Sequence, residues 1–277
     1  MNKIYYVSDY FLTDILGGGE LNDHELCSEL ENHDYKVIKI RSNELQINMI
    51  DKKNRYIISN FINLNQQVKD YLTNNCSYIV YEHDHKYLRS RNPALFKEYR
   101  APREEIINEK FYRNAKKIFC QTSLHKKIIE NNLKGCAIEN ISGNLWSLED
   151  LKLLTKLSKK KKKDCYSVLD SKINHKNTVE TVFYCQQKKY NYELISSPDY
   201  KNFLFLMSNN DKFIFLPKTP ETCSRVVVEA KMMNIRVITN KKVGASHEPW
   251  FSLKGETLIN HMLNKRVEIV NKIKDII

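Results

Sequence analysis

The residues best suited to chemistry lie in "LPKTPETCSRVVVEAKMMNIRVITNKKVG", positions 216–244. Two acids, Glu221 and Glu229, stand eight positions apart. "KFIFLP" before them reads as a buried strand closed by Pro217 and Pro220, which puts Glu221 on the loop above the strand end. A helix then starts at Thr222 or Cys223 and carries Glu229 about two turns in. Its first turn offers unpaired N–H groups and partial positive charge, a place for an anion. Two carboxylates touching a phosphate would repel it. They serve better as acceptors for hydroxyl groups, such as those of a sugar and a ribose. A ligand with hydroxyls at both ends and phosphate between them is a nucleotide sugar.

Two other loops carry unusual residues. "LGGGE" at 16–20 follows the first strand, and its glycines let backbone approach a ligand closely before a helix N-terminus. It matches neither GxGxxG nor GxxxxGK[ST], so a plain tight turn is the competing reading. "YEHDHKYLRSRNP" at 81–93 follows a later strand, and burying Glu82, His83, Asp84 and His85 in succession is costly without a purpose. Alternate residues there could offer a general base, a hydroxyl-binding acid or an acceptor clamp. Consecutive residues converge poorly on a metal ion, so no metal site is expected.

The elements that must position these loops alternate strand and helix, the pattern of an α/β protein with parallel sheets. Strands are predicted at 3–7, 36–40, 55–59, 78–82 and 117–121, with helices at 20–32, 65–73, 102–114 and 123–132. A second set has strands at 166–170, 192–196, 212–217 and 236–240, with helices at 176–188, 198–208, 223–234 and about 256–275. The reading is therefore two Rossmann-like domains facing a cleft. Residues 1–145 form the first, on the acceptor side, and 165–277 the second, with the last helix packing back on the first. Between them, "SGNLWSLEDLKLLTKLSKKKKKD" carries no strand signal, and 146–164 is read as a linker with a lysine run.

Of 277 residues 42% are hydrophobic and 28% charged, which excludes a disordered chain. No apolar run reaches the roughly 18 residues of a membrane span, and the start lacks a signal-peptide core. A cytoplasmic protein is expected, with peripheral membrane association a second option. Seven cysteines without CxxC spacing point to buried thiols. Five of the twelve net positive charges sit in Lys159 to Lys163. The run is either a solvated product of base composition or a contact for an anionic partner, nucleic acid or membrane.

The stretch "PETCSRVVVEAKMMNIRVITNKKVGA" resembles the signature of GT-B glycosyltransferases of the large retaining family four, with its E-x7-E motif. It matches at Glu221, Glu229, Ala230, Val237, Ile238 and Gly244. "GGGELNDHELCSELENHDYKVIKI" is similar to the family's G-G-A-E opening, "NAKKIFCQTSLHKKIIENN" to the segment ending its first domain, and "LDSKINHKNTVETV" to its donor loop. The motif glycines are replaced by Thr222, Cys223 and Ser224, and Lys172 stands nearest the missing donor-loop arginine.

The resemblance implies a retaining, metal-independent transferase, a hexosyltransferase, that uses a UDP- or GDP-linked sugar and no other cofactor. Glu221 would contact donor sugar hydroxyls and Glu229 the ribose. Backbone N–H groups of Cys223, Ser224, Arg225 and Val226 would hold the diphosphate. Lys176, with Lys172, would neutralise it as it departs. Gly18 and Gly19 would give donor phosphates and acceptor room, and His83 and Asp84 would face the acceptor. The acceptor stays open: a saccharide, a lipid-linked glycan or a modified DNA base. No stable protein partner is implied. The alternative is an inactive GT-B fold that binds a nucleotide or nucleic acid.

Overall fold

The computed structural model describes residues 2–277. They divide into two compact units. One holds the described residues up to Leu145 together with Lys265–Ile277, and the other is Trp146–Asn264.

The first unit is built on six strands: β1 (Asn2–Ser8), β2 (Tyr35–Arg41), β3 (Arg55–Ile58), β4 (Ser77–Tyr81), β5 (Ile118–Cys120) and β6 (Ile138–Asn140). All pairings are parallel, in the order β2-β1-β3-β4-β5-β6. Its helices are α1 (Gly18–Asn32), α2 (Gln66–Asn75), α3 (Glu109–Asn114) and α4 (Ser123–Asn132). Side chains alternate across the sheet, so both faces of these apolar strands are buried. Ile4, Tyr6, Ile57 and Ile79 pack with Leu26, Cys27 and Leu30 of α1. Val7, Tyr56, Ile58 and Val80 pack with Val68 and Leu72 of α2 on the opposite face.

The second unit has four parallel strands, β7 (Lys163–Leu169), β8 (Tyr192–Ile195), β9 (Asn210–Phe215) and β10 (Arg236–Thr239), in the order β10-β9-β7-β8. Helices α5 (Leu148–Ser158), α6 (Thr178–Gln187), α7 (Tyr200–Met207) and α8 (Arg225–Met232) belong to it. The last helix, α9 (Gly255–Lys274), contributes residues up to Asn264 to this unit and those from Lys265 to the first.

The segment expected to be a linker, 146–164, is instead part of the second unit. Ser147 caps α5 by accepting from Asp150 N at 2.9 Å, and Leu151, Leu154 and Leu157 join the core with Trp146. Apolar spacing of three, with a serine cap, makes that stretch an amphipathic helix. The helix predicted over 102–114 shrinks to α3. A 3₁₀ turn occupies Arg103–Glu105, and Asn108 takes a left-handed φ of 55°, which breaks the pattern. Strand β6, three residues long, had no signal.

Arg266 on α9 reaches α1: its Nη1 lies 2.5 Å from Glu25 Oε1 and its Nη2 2.6 Å from Glu29 Oε1. Arg266 and Glu25 are both buried. Arg266→Met should therefore cost about 3 kcal/mol, because it strips a nearly buried carboxylate of its counter-charge. Urea denaturation reads this directly, and a loss below about 1 kcal/mol would show the ion pairs to be incidental.

Candidate functional site

In the second unit the strand order reverses between β7 and β9, and the loops leaving their carboxyl ends meet there. The β7 loop (170–177) and the β9 loop (216–224) are tied by their backbones. Lys218 N donates to His175 O at 2.9 Å, and Asn177 Nδ2 donates to Leu216 O at 2.7 Å. Glu221 is then fixed from the β10 side. Its N donates to Lys242 O, and its carbonyl accepts from Gly244 N, both at 2.8 Å. So held, its carboxylate meets Lys176, whose Nζ is 3.0 Å from Oε1 and 2.9 Å from Oε2. Both side chains keep some exposure, 25% for Lys176 and 13% for Glu221. Lys172 is exposed on the same loop and has no hydrogen bond or ion pair among the described residues.

Helix α8 starts at Arg225, later than Thr222 or Cys223. Ser224 precedes it with φ 70°, a left-handed conformation uncommon for serine. Its Oγ is buried and has no hydrogen-bond partner among the described residues. Cys223 is buried, and its carbonyl accepts from Ala245 N at 3.1 Å. The first turn of α8, Arg225 and Val226 included, presents amides that have no acceptor within the helix.

Glu229, one turn on, is 2% exposed and belongs to a buried network. Its Oε1 accepts from Trp146 Nε1 at 2.9 Å and Tyr200 OH at 2.8 Å, and lies 3.4 Å from Arg225 Nε. The Arg225 guanidinium also stacks over the Trp146 ring at 4.6 Å. Burial, and after it the Glu229 charge, hold the Tyr200 phenol well above its ordinary range. The carboxylate has one oxygen left, Oε2, without a hydrogen bond among the described residues.

In the first unit the order reverses between β1 and β3, and a second polar cluster sits there. Asp23 on α1 accepts from Tyr6 OH at 2.7 Å and Ser59 Oγ at 2.6 Å, and it contacts His83 Nε2. His83 Nδ1 lies 2.6 Å from Gln121 Nε2. A Cβ on Gly19 would touch the His83 ring at an ordinary 3.6 Å. Gly18 is the first residue of α1, and Gly17 before it has an extended backbone, so no left-handed turn is formed there. The Glu20 carboxylate turns back over Gly17, and burial followed by Asp23 raises its pKa.

The residues flanking His83 diverge. Glu82 points into the core, where it meets Lys86 Nζ at 2.5 Å and also accepts from Tyr112 OH. Asp84 pairs with Lys86 at 3.1 Å and Arg91 at 3.3 Å. Burial pushes the His85 imidazole down to about 4. Among the described residues no three His, Cys, Asp or Glu side chains form a metal-sized group.

Three lysines of the charged run are engaged within the chain. Lys160 Nζ donates to Asn209 Oδ1 at 2.5 Å, Lys162 Nζ to the Lys160 carbonyl at 3.1 Å, and Lys163 pairs with Glu193. The run precedes and begins β7, at the opposite end of the parallel sheet from Lys176 and Glu221. Among the described residues no helix is long and apolar enough to cross a membrane.

No protein-family model matches the chain, and no curated protein matches it in sequence. Solved structures do. Sucrose-phosphate synthase from Thermosynechococcus elongatus superposes with a TM-score of 0.61 at 10% identity, over 88% of this chain and 82% of that one. The catalytic domain of starch synthase IV from Arabidopsis thaliana, bound to ADP and acarbose, gives 0.56 at 8% identity, over 98% and 92%. An alpha-glucosyltransferase in complex with UDP and a 13-mer DNA containing an HMU base gives 0.50 at 10%, over 97% and 90%. These are GT-B glycosyltransferases, and the two parallel sheets with interspersed helices are theirs. The fold is GT-B.

Within this GT-B chain, sequence reasoning found Lys176 and Glu221, which the structure brings into contact. It named Glu229 but not Trp146, Tyr200 or the Arg225 side chain around it. It named His83 but missed Asp23 and Gln121, whose only signal is burial of polar residues on a helix face and a strand end.

The Asp23–His83 pair has a pH signature. Burial alone would lower the imidazole, but the Asp23 charge and hydrogen bond raise it above its ordinary value. The folded protein therefore holds this proton more tightly than the unfolded chain. That stabilisation is complete below about pH 6.5 and fades as pH rises through the folded pKa. His83→Gln should flatten the alkaline decline of melting temperature. It should leave the acid limb between about pH 6.5 and 4, where His85 must be charged on unfolding. An unchanged alkaline slope would show that His83 is neutral in the folded protein.

Proposed function

We propose that the chain is a retaining, metal-independent glycosyltransferase that binds a nucleotide-diphosphate sugar in its second unit. The observation that supports this most is the Lys176–Glu221 pair at the β7/β9 reversal, next to the start of α8. In this reading Glu221 accepts hydrogen bonds from donor sugar hydroxyls. Lys176 keeps one side on that carboxylate and turns the other to the departing diphosphate. First-turn amides of α8 and the Ser224 hydroxyl share the developing charge, the task a divalent ion performs elsewhere. Glu229 offers Oε2 to a ribose hydroxyl while Trp146 and Tyr200 fix its orientation through Oε1. The acceptor attacks on the face the diphosphate leaves, so no enzyme nucleophile is required. On the acceptor side, His83 is oriented by Asp23 and Asp84 by Lys86. The solved neighbours that carry UDP or ADP in their complexes support a nucleotide-sugar donor.

One observation favours a second reading, a GT-B protein without transfer activity. Glu229 is 2% exposed and its Oε1 is taken by Trp146 and Tyr200, which leaves a ribose only the buried Oε2.

Release of nucleotide diphosphate from a panel of UDP- and GDP-sugars, in the presence of EDTA, separates the two. Transfer is expected to persist in EDTA, and strict dependence on manganese or magnesium would contradict the metal-independent mechanism. Glu221→Gln should lower kcat by about a hundredfold or more. Its folding stability should change by less than about 1 kcal/mol, because the Lys176 pair is partly solvated. Full turnover in this variant would remove Glu221 from the site.

A further inference from the structure

The donor site leaves unused a cavity of about 490 Å³ in the first unit, built from the segments that follow β3 and β4 and the first turn of α2. Four cations line it, Lys69, Lys86, Arg89 and Arg91, and none of the lining side chains is a carboxylate. Phe61 and Ile107 supply apolar wall.

The charges are not balanced. Lys86 and Arg91 are satisfied by Glu82 and Asp84, at 2.5, 3.1 and 3.3 Å. Lys69 has only a neutral partner, Asn108 Oδ1 at 3.0 Å. Its sequence neighbour Asp70 is bonded to Gln66 instead, and burial pushes the Lys69 ammonium below its ordinary value. Arg89 donates its backbone N–H to Glu105 O, but its guanidinium has neither ion pair nor hydrogen bond among the described residues. A half-buried ammonium without a counter-ion costs stability unless an anion completes it. An ammonium and an unengaged planar guanidinium beside one cavity suit a phosphate dianion, which takes bidentate Arg contacts and carries up to two charges. The volume is that of a small-molecule site.

We propose that this cavity is a phosphomonoester site of the first unit, with the phosphate held by Lys69 and Arg89 and the body of the ligand against Phe61 and Ile107. A soluble sugar phosphate and a phosphate-headed lipid share that chemistry. This binding does not rest on the transfer reading above.

Calorimetric titration of the full chain tests this, with saturating uridine diphosphate present so that the donor site is filled. Glucose 6-phosphate should bind at least tenfold more tightly than glucose. Lys69→Met and Arg89→Gln should each weaken it by roughly tenfold or more, the loss of one charge-assisted contact. Uridine diphosphate affinity, titrated separately, should not move. Arg89 is exposed, so Arg89→Gln carries the test even if Lys69→Met misfolds. Binding to phosphatidic acid vesicles but not to glucose 6-phosphate, with the same sensitivity to Arg89→Gln, identifies a lipid as the source and upholds the site. Equal affinity for glucose and its phosphate, no effect of either variant, or tighter competition by a thymidine oligonucleotide would overturn it. If glucose 6-phosphate binds and responds to the variants while uridine diphosphate does not bind at all, the phosphate site stands and the transfer reading falls.

Discussion

Both sheets are wholly parallel, and that constraint governs where everything else can go. A parallel sheet sends every strand toward one edge and every return through a helix, so both faces must be apolar and all functional loops gather at the carboxyl ends. Where strand order reverses, neighbouring connections leave to opposite faces and a crevice opens. In the second unit this reversal sets the β7 and β9 loops against each other and brings Lys176 onto Glu221 across forty-five positions of chain. The β10 loop locks the arrangement by pairing its backbone with Glu221 on both sides. The ion pair is a consequence of topology more than a source of stability.

Buried charge is handled differently in the two units. In the first, Glu82 and Lys86 are both almost fully buried and compensate each other one turn apart, with Tyr112 and Asp84 taking the remaining valences. In the second, Glu229 is balanced by Arg225 and by neutral donors, Trp146 and Tyr200. Such networks are costly to assemble and rigid once complete, because a missing partner leaves a charge in low dielectric. Ser224 Oγ and Lys69 stand outside this economy. Each is a polar group short of a matching partner, and each borders a place where a ligand would supply one.

Much of the architecture was legible in the sequence because β-branched and aromatic runs alternate with helix-length segments. Strands β1 to β5 and β7 to β10 follow from that rhythm. The short β6, at Ile138–Asn140, leaves too few residues for any periodicity to register. Helix α5 is masked for another reason: its leucines, Leu151, Leu154 and Leu157, run straight into the lysine run, so the stretch reads as charged rather than amphipathic. Glu221 could be named because a buried strand and two prolines put it on a loop, and Lys176 because its loop resembles the family's donor loop. The partners of His83 could not, since Asp23 is sixty positions away on α1 and Gln121 lies beyond β5. Local spacing has no access to contacts that only the sheet order creates.

The central claim is that the start of α8 and the loop before it form a nucleotide-diphosphate site. Amide hydrogen exchange with and without uridine diphosphate measures this without assuming any acceptor or any turnover. The account predicts slowed exchange at 221–228 and at 174–177, with the lysine run at 159–163 unchanged. Protection confined to the first unit, or centred on the lysine run, would contradict it.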